Sequence, residues 1–158
     1  MYAADTSFFM EWQARVYPLD CFPSLNDRIL ELVSTGELVS NSIVLEEIEA
    51  VGTPDLKKWA RANKHLFIVL PPGVQTEGAS IEAKYPDLMD PKGLYTSADA
   101  YVIAQAKLAN GVVLNQETYA HEKTGKRAMK KYIPDVCSDL GVTQVNILGL
   151  IRRENWKF

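Results

Sequence analysis

The sequence predicts a three-layer α/β/α domain with a central parallel sheet. Segments of helical periodicity recur between short apolar runs, which is the rhythm of an α/β chain. A length of 158 residues suits one domain, spanning 1–158 and large enough to bury its own core. Apolar content of 47% and charged content of 23% place it among ordinary globular domains, and no apolar run approaches the roughly 18 residues of a membrane span.

Tyr2-Ala3-Ala4 reads as the first strand, and a helix follows through Phe8–Arg15. Ser24 is the expected N-cap of the next helix, with Asp27 at its third position; Leu25, Ile29, Leu32 and Val33 keep helical spacing and Gly36 closes it. Leu38–Ser40 is short enough for a strand, and Asn41 or Ser42 caps a helix running to about Ala50. Thr53-Pro54-Asp55 starts another helix, with proline in its first turn and Leu56, Trp59 and Ala60 turned inward. Leu66–Leu70 reads as a buried strand ended by Pro71-Pro72-Gly73.

Val74–Lys84 predicts a weaker helix, and Tyr85–Tyr95, with Pro86, Pro91 and Gly93, a loop. Thr96 or Ser97 caps a strong helix, Gly111–Leu114 is the next strand, and Asn115–Lys131 reads as loop with partial helix. Ile133–Leu140 is a short helix, Val142–Ile147 a last strand and Leu148–Arg153 a closing helical turn or two, after which Trp156–Phe158 folds back on the domain.

Charge and composition exclude several classes. A formal charge of −3 argues against a protein that coats nucleic acid non-specifically, although acidic metal ligands would contribute to that count. Cys21 and Cys137 are too few and too far apart for a disulfide framework, so reduced thiols and a cytoplasmic location are expected. Met1–Asp5 has neither the basic nor the apolar region of a signal peptide and is read as part of the fold. His65 and His121 have no partners at zinc-ligand spacing, no G-x-S-x-G surrounds any serine, and Gly-rich phosphate loops are missing.

Three carboxylates stand where folding alone explains them poorly. Asp5 follows the first strand, at the end where open parallel sheets place their sites; its competing role is N-cap of the next helix. Glu47 lies within roughly 60° of Ile43, Val44, Ala50 and Val51 on a helical projection, whereas Glu46 and Glu49 lie about 100° and 160° away, toward solvent. A surface ion pair is its alternative role. Asp99 completes a capping box with Thr96, yet Val102, Ile103 and Ala106 fall within roughly 60° of it, along the stripe that meets the sheet. Acids converging from one strand end and two helices would repel one another unless a cation lay between them. Oxygen-only ligands select Mg²⁺ or Mn²⁺ over zinc.

Asp5-Thr6-Ser7, Val44–Ile48 and Ser97–Ala104, followed by Gly111–Leu114, resemble in order and spacing the PIN-domain pattern and the VapC-like toxin ribonucleases within it. Lys131–Cys137 and Trp156–Phe158 look similar to an uncharacterised PIN-like branch. The resemblance implies a Mg²⁺- or Mn²⁺-dependent endoribonuclease that attacks RNA phosphodiesters in line with an activated water. It implies Asp5, Glu47 and Asp99 as metal ligands, Thr6 or Ser7 as hydrogen-bonding support, an antitoxin protein as partner and a homodimer. The chain departs from the pattern at Asn115-Gln116-Glu117: Gln116 aligns with the usual fourth acid, and Glu117 fills that catalytic role only with a shifted loop. A catalytically inactive PIN-like binding module and a nuclease acting on DNA are the competing expectations. The run His121–Lys131, with Lys126, Arg127 and Lys130, is either an RNA guide or a solvated loop face.

Overall fold

The computed structural model describes residues 1–92 and 94–158; the Gly93 assigned to the loop Tyr85–Tyr95 lies outside the described residues. Five strands, β1 (Tyr2–Ala4), β2 (Leu38–Asn41), β3 (Phe67–Ile68), β4 (Val112–Leu114) and β5 (Thr143–Val145), form one sheet in the order β3-β2-β1-β4-β5. All four pairings are parallel, with Ala3 opposite both Val39 and Val113. Among the described residues eight α-helices flank it and complete the three layers: α1 (Thr6–Phe9), α2 (Pro23–Ser34), α3 (Ser42–Val51), α4 (Pro54–Ala62), α5 (Pro72–Lys84), α6 (Asp99–Leu108), α7 (Ile133–Leu140) and α8 (Ile147–Arg153).

Strand order fixes the layers. Right-handed crossovers from β1 to β2 and from β2 to β3 step one way and set α1–α4 on one face, whereas β3 to β4 and β4 to β5 step the other way and set α5–α7 on the opposite face. The central contact there is helix on small residues: Ala3 and Ala4 of β1 are fully buried, and α6 lies against them with its own buried Ala100, Ala104 and Ala106. On the other face Phe8, Phe9, Trp12, Trp59 and Phe67 form an aromatic cluster, with Trp12 and Trp59 edge to face at 5.0 Å.

Several elements differ from the sequence expectation for physical reasons. The helix expected over Phe8–Arg15 begins at Thr6 and widens into a π-helix over Met10–Val16, where buried Gln13 has no partner for either amide atom. Ser24 does not cap α2, because Pro23 already occupies its first turn. The apolar run Leu66–Leu70 yields only a two-residue β3: it is the edge of the sheet, Leu66 closes a 3₁₀ turn, and Val69 is 82% exposed. The last strand is likewise an edge and is shorter than Val142–Ile147. Within Asn115–Lys131 only two 3₁₀ turns form, Ala120–Glu122 and Gly125–Met129. Of the expected Trp156–Phe158, Trp156 packs on the core, whereas Lys157 and Phe158 are exposed because the chain carries no further apolar contact beyond Trp156. No described helix is long and apolar enough to cross a membrane.

The helix expected to be weak, α5, runs thirteen residues because α6 supports it. Its buried Gly78 faces Tyr101, and a Cβ there would stand 2.4 Å from the ring's Cδ1. The Tyr101 hydroxyl donates to Glu82 at 3.2 Å, which restrains the ring. Overpacking of about 1–3 kcal/mol should therefore exceed the roughly 1 kcal/mol of helix propensity that alanine brings. Gly78→Ala is expected to lower stability by up to about 2 kcal/mol in urea denaturation; a more stable variant would mean that α6 yields freely.

Candidate functional site

β1 is the switch point of the sheet, since its neighbours β2 and β4 are reached by crossovers on opposite faces. A crevice at the carboxyl ends of β1 and β4 follows from that topology, and the chain places Asp5 after one and Asn115-Gln116-Glu117 after the other. The Asp5 N–H donates to Leu114 O at 2.9 Å, so the parallel ladder continues one residue beyond the strands and fixes these two ends side by side.

Asp5 is 4% exposed and does serve as N-cap of α1: its Oδ2 accepts from the Ser7 N–H at 2.9 Å and from the Ser7 hydroxyl at 2.6 Å. That uses one oxygen only. Oδ1 is buried with no hydrogen-bond partner. Capping therefore accounts for half of the carboxylate and leaves the other half facing inward at a cost.

Glu47 sits on α3, whose start Asn41 fixes by accepting from the Ile43 and Val44 N–H groups. Its Oε2 accepts from the Thr6 hydroxyl, and its Oε1 accepts from the Ala98 N–H at 3.0 Å. Glu47 thus supplies from another helix the cap expected of Thr96 or Ser97. Neither of these caps α6, whose N-cap residue is Ala98 with no side-chain bond of its own. The expected capping box around Asp99 is not formed, and Asp99 is the first residue of α6, half-buried beside the site.

Glu117 enters the same crevice. An Asx turn in which Asn115 Oδ1 accepts from the Glu117 N–H at 2.9 Å bends the chain after β4, and Glu117 Oε2 accepts from the Ile133 N–H at 3.0 Å, at the start of α7. The segment after β4 is thus bent at Asn115 and held against the start of α7. The stripe beside Glu47 is not core, however. Ala50 and Val51 are exposed, and with Ile43, Tyr95 and Glu46 they wall an open cleft of about 620 Å³ whose acidic side holds Glu47 and Asp99. Glu46 is at solvent as expected, while Glu49 pairs with Arg61.

Electrostatics make the four carboxylates one unit. Burial raises the pKa of Asp5 against the lowering effect of the Ser7 and Thr6 hydrogen bonds. Burial also raises Glu47, with the Asp5 charge adding to it, and raises Glu117, with Asp5 again adding and Lys123 partly offsetting. Asp99 is held well above the usual carboxylate range, first by burial and then by the charges of Asp5, Glu117 and Glu47. No ion pair reaches any of the four among the described residues.

A divalent cation fits this donor set in one respect and not in another. An orphaned carboxylate oxygen amid unpaired, desolvated acids is what a cation would satisfy. Yet among the described residues no three His, Cys, Asp or Glu side chains form a closed metal-binding group. The helix caps explain the difference, because Glu47 and Glu117 are each drawn toward a backbone N–H.

Thr6 and Ser7, the hydroxyls expected to support an acid, bond Glu47 and Asp5, and Ser7 Oγ also accepts from the Gln116 N–H at 3.0 Å and so ties Asp5 to the β4 end. Nothing in residue spacing signals a bond across 109 positions. The basic run lies in exposed loop: Lys126, Arg127 and Lys130 are at solvent, while Lys131 pairs with Asp139 at 3.0 Å and Lys123 stands 4.0 Å over the Tyr132 ring. Cys137 is buried with its thiol pushed up to about 12, and Cys21 is free at the surface.

The chain belongs to the DUF4411 family, a domain of unknown function, which it matches over residues 2–158. No curated protein matches it. Membership assigns no activity.

Carboxylates with raised folded-state pKa values bind protons more tightly folded than unfolded. Their contribution favours folding below the unfolded values near 4 and is lost as pH rises through the raised ones. In chelator-treated protein, melting temperature should therefore fall from pH 5 to pH 8. Asp99→Asn should flatten that slope and raise stability at pH 8; an unchanged slope would mean that Asp99 carries no excess charge repulsion.

Proposed function

We propose that this protein is a metal-dependent phosphodiesterase, an endoribonuclease using Mg²⁺ or Mn²⁺ held by Asp5 and Asp99, with Glu47 and Glu117 as further ligands or base. The observation that supports it best is the convergence of four desolvated carboxylates, without a basic partner, at the switch point of a parallel sheet. The order of the three acid-bearing segments, which resembles PIN-domain ribonucleases, supports the same reading.

A divalent cation in such a site lowers the pKa of a water and offsets charge developing on phosphate oxygens. The chain's own contribution is positional. Ser7 orients Asp5 through two bonds to the same oxygen, Thr6 orients Glu47, and the Ile133 N–H orients Glu117. Glu117 and Glu47, both held above their ordinary pKa by burial, bind a proton more readily than a free carboxylate does. The exposed Lys126, Arg127 and Lys130 would meet the phosphate backbone, and an antitoxin protein would be the regulating partner.

A second reading, a PIN-like binding module without catalysis, is favoured by one observation: both glutamates are already engaged as helix caps. Incubation with structured RNA, single-stranded DNA and a chromogenic phosphodiester, with Mn²⁺ or with chelator, separates the readings. Asp5→Asn and Asp99→Asn are each expected to abolish Mn²⁺-dependent RNA cleavage while circular dichroism stays native; full activity in either variant sinks the assignment. Replacing Lys126, Arg127 and Lys130 together should weaken RNA binding and flatten its salt dependence, by up to about one unit of slope for each phosphate left without a cationic partner.

A further inference from the structure

Two hollows flank the acids along the carboxyl edge of the sheet. The cleft of about 620 Å³ is walled partly by α3, which follows β2, and includes Thr6, Glu47 and Asp99. A smaller hollow of about 340 Å³ lies past β4 and β5, lined by Glu117, Tyr119 and Asn146 among others. Strand order places β1, and Asp5 after it, between β2 on one side and β4 and β5 on the other. From β2 to β5 is three strand intervals, roughly 14 Å, or about four nucleotide rises. A ligand that reaches both hollows across the acids is therefore an extended chain.

The larger cleft carries an uncovered ring. Tyr95 is 64% exposed and shares the apolar wall with Ile43, Ala50 and Val51, while Glu47 and Asp99 line the acidic side. Leu94 and Val51 are exposed as well, which makes a patch rather than a stray side chain. A flat, neutral group on that ring, joined to an anionic linkage at the cation expected among the acids, matches both sides of the cleft. Nucleobase and phosphate have that pairing, and a base offers its face to a ring only when it has left its own stack. Positive charge continues the route. From Tyr119, which is in the smaller hollow and stacked on His121 at 5.2 Å, the chain runs into the exposed Lys126, Arg127 and Lys130. Those cations suit a polyanion and oppose a basic peptide, the other ligand that bare acids attract.

We propose that Tyr95 is the base-stacking platform of this site, holding an unpaired base of single-stranded RNA beside the phosphate that lies at the acids. This rests on the ribonuclease reading above and names the residue by which the substrate is gripped.

A short single-stranded RNA, and a set of copies each lacking one base but keeping every phosphate, test it against the parent, Tyr95→Ala and Tyr95→Phe. Affinity is read by fluorescence anisotropy with chelator, and KM and kcat with Mn²⁺. At one position of the probe, loss of the base should raise Kd and KM for the parent by roughly 5- to 150-fold. Tyr95→Ala should bind intact RNA more weakly by a similar factor and no longer distinguish the abasic copy, whereas Tyr95→Phe should behave as the parent. If the parent cleaves RNA but treats intact and abasic copies alike, or if Tyr95→Ala keeps the difference, the stacking assignment is overturned and the nuclease stands. RNA bound with the expected pattern but left uncut upholds the platform and removes the catalysis. If RNA is neither bound nor cut, both fall, and a short peptide of arginine and leucine whose binding depends on Tyr95 would then identify the cleft as a peptide site.

Discussion

The pairing of β1 with β4 is the constraint on which the rest depends. Ala4 lies opposite Leu114, and the bond from the Asp5 N–H to Leu114 O carries the ladder one step past both strands. A slip of one residue would turn Asp5 to the other face of the sheet and separate it from Gln116 and Glu117. The register is held by burial on both faces: Ala3, Ala4, Val113 and Leu114 are fully covered, so a slip would expose apolar surface along two strands at once. α6 depends on the same pairing, because only alanines at the centre of β1 let it approach closely enough to bring Asp99 over the strand ends.

Around that fixed edge, polar groups are assigned with little redundancy. Thr6, Ser7 and Asn41 each start a helix or steady an acid, and Gln105, buried on α6, accepts from Asn41 Nδ2 at 3.2 Å, which ties α6 to the end of β2. The acids are what remains unbalanced. Their desolvation is not offset by positive side chains, as it would be in a structural ion-pair network, and this distinguishes the crevice from the surface pairs Arg61–Glu49 and Lys107–Glu77 elsewhere in the chain.

The architecture was legible because it rests on periodicity. α2 and α4 carry their buried residues where helical spacing put them, and Thr53 and Asn41 cap as their side chains allow. Strand lengths were less legible, since Leu66–Leu70 and Val142–Ile147 are apolar enough for strands but lie at edges, where only part of each run finds a partner. Glu47 and Asp99 could be singled out from their helix faces, and Asp5 and Glu117 from their places after a strand. The bonds that organise them could not, because Glu47 reaches Ala98 and Ser7 reaches Gln116 across distances that no local pattern encodes. Ala50 and Val51 misled for a related reason: an apolar helix face reads the same whether it meets the core or walls a cleft.

That Glu47 caps α6 from α3 makes this side chain a joint between two helices as well as a member of the acid group. Removing it outright would free the Ala98 N–H and the Thr6 hydroxyl together, so an inactive Glu47→Ala protein could reflect a frayed helix start that displaces Asp99. Glu47→Gln keeps an oxygen for the backbone and removes only the charge. In a chain wired this way, the isosteric amide, not alanine, separates chemistry from scaffold.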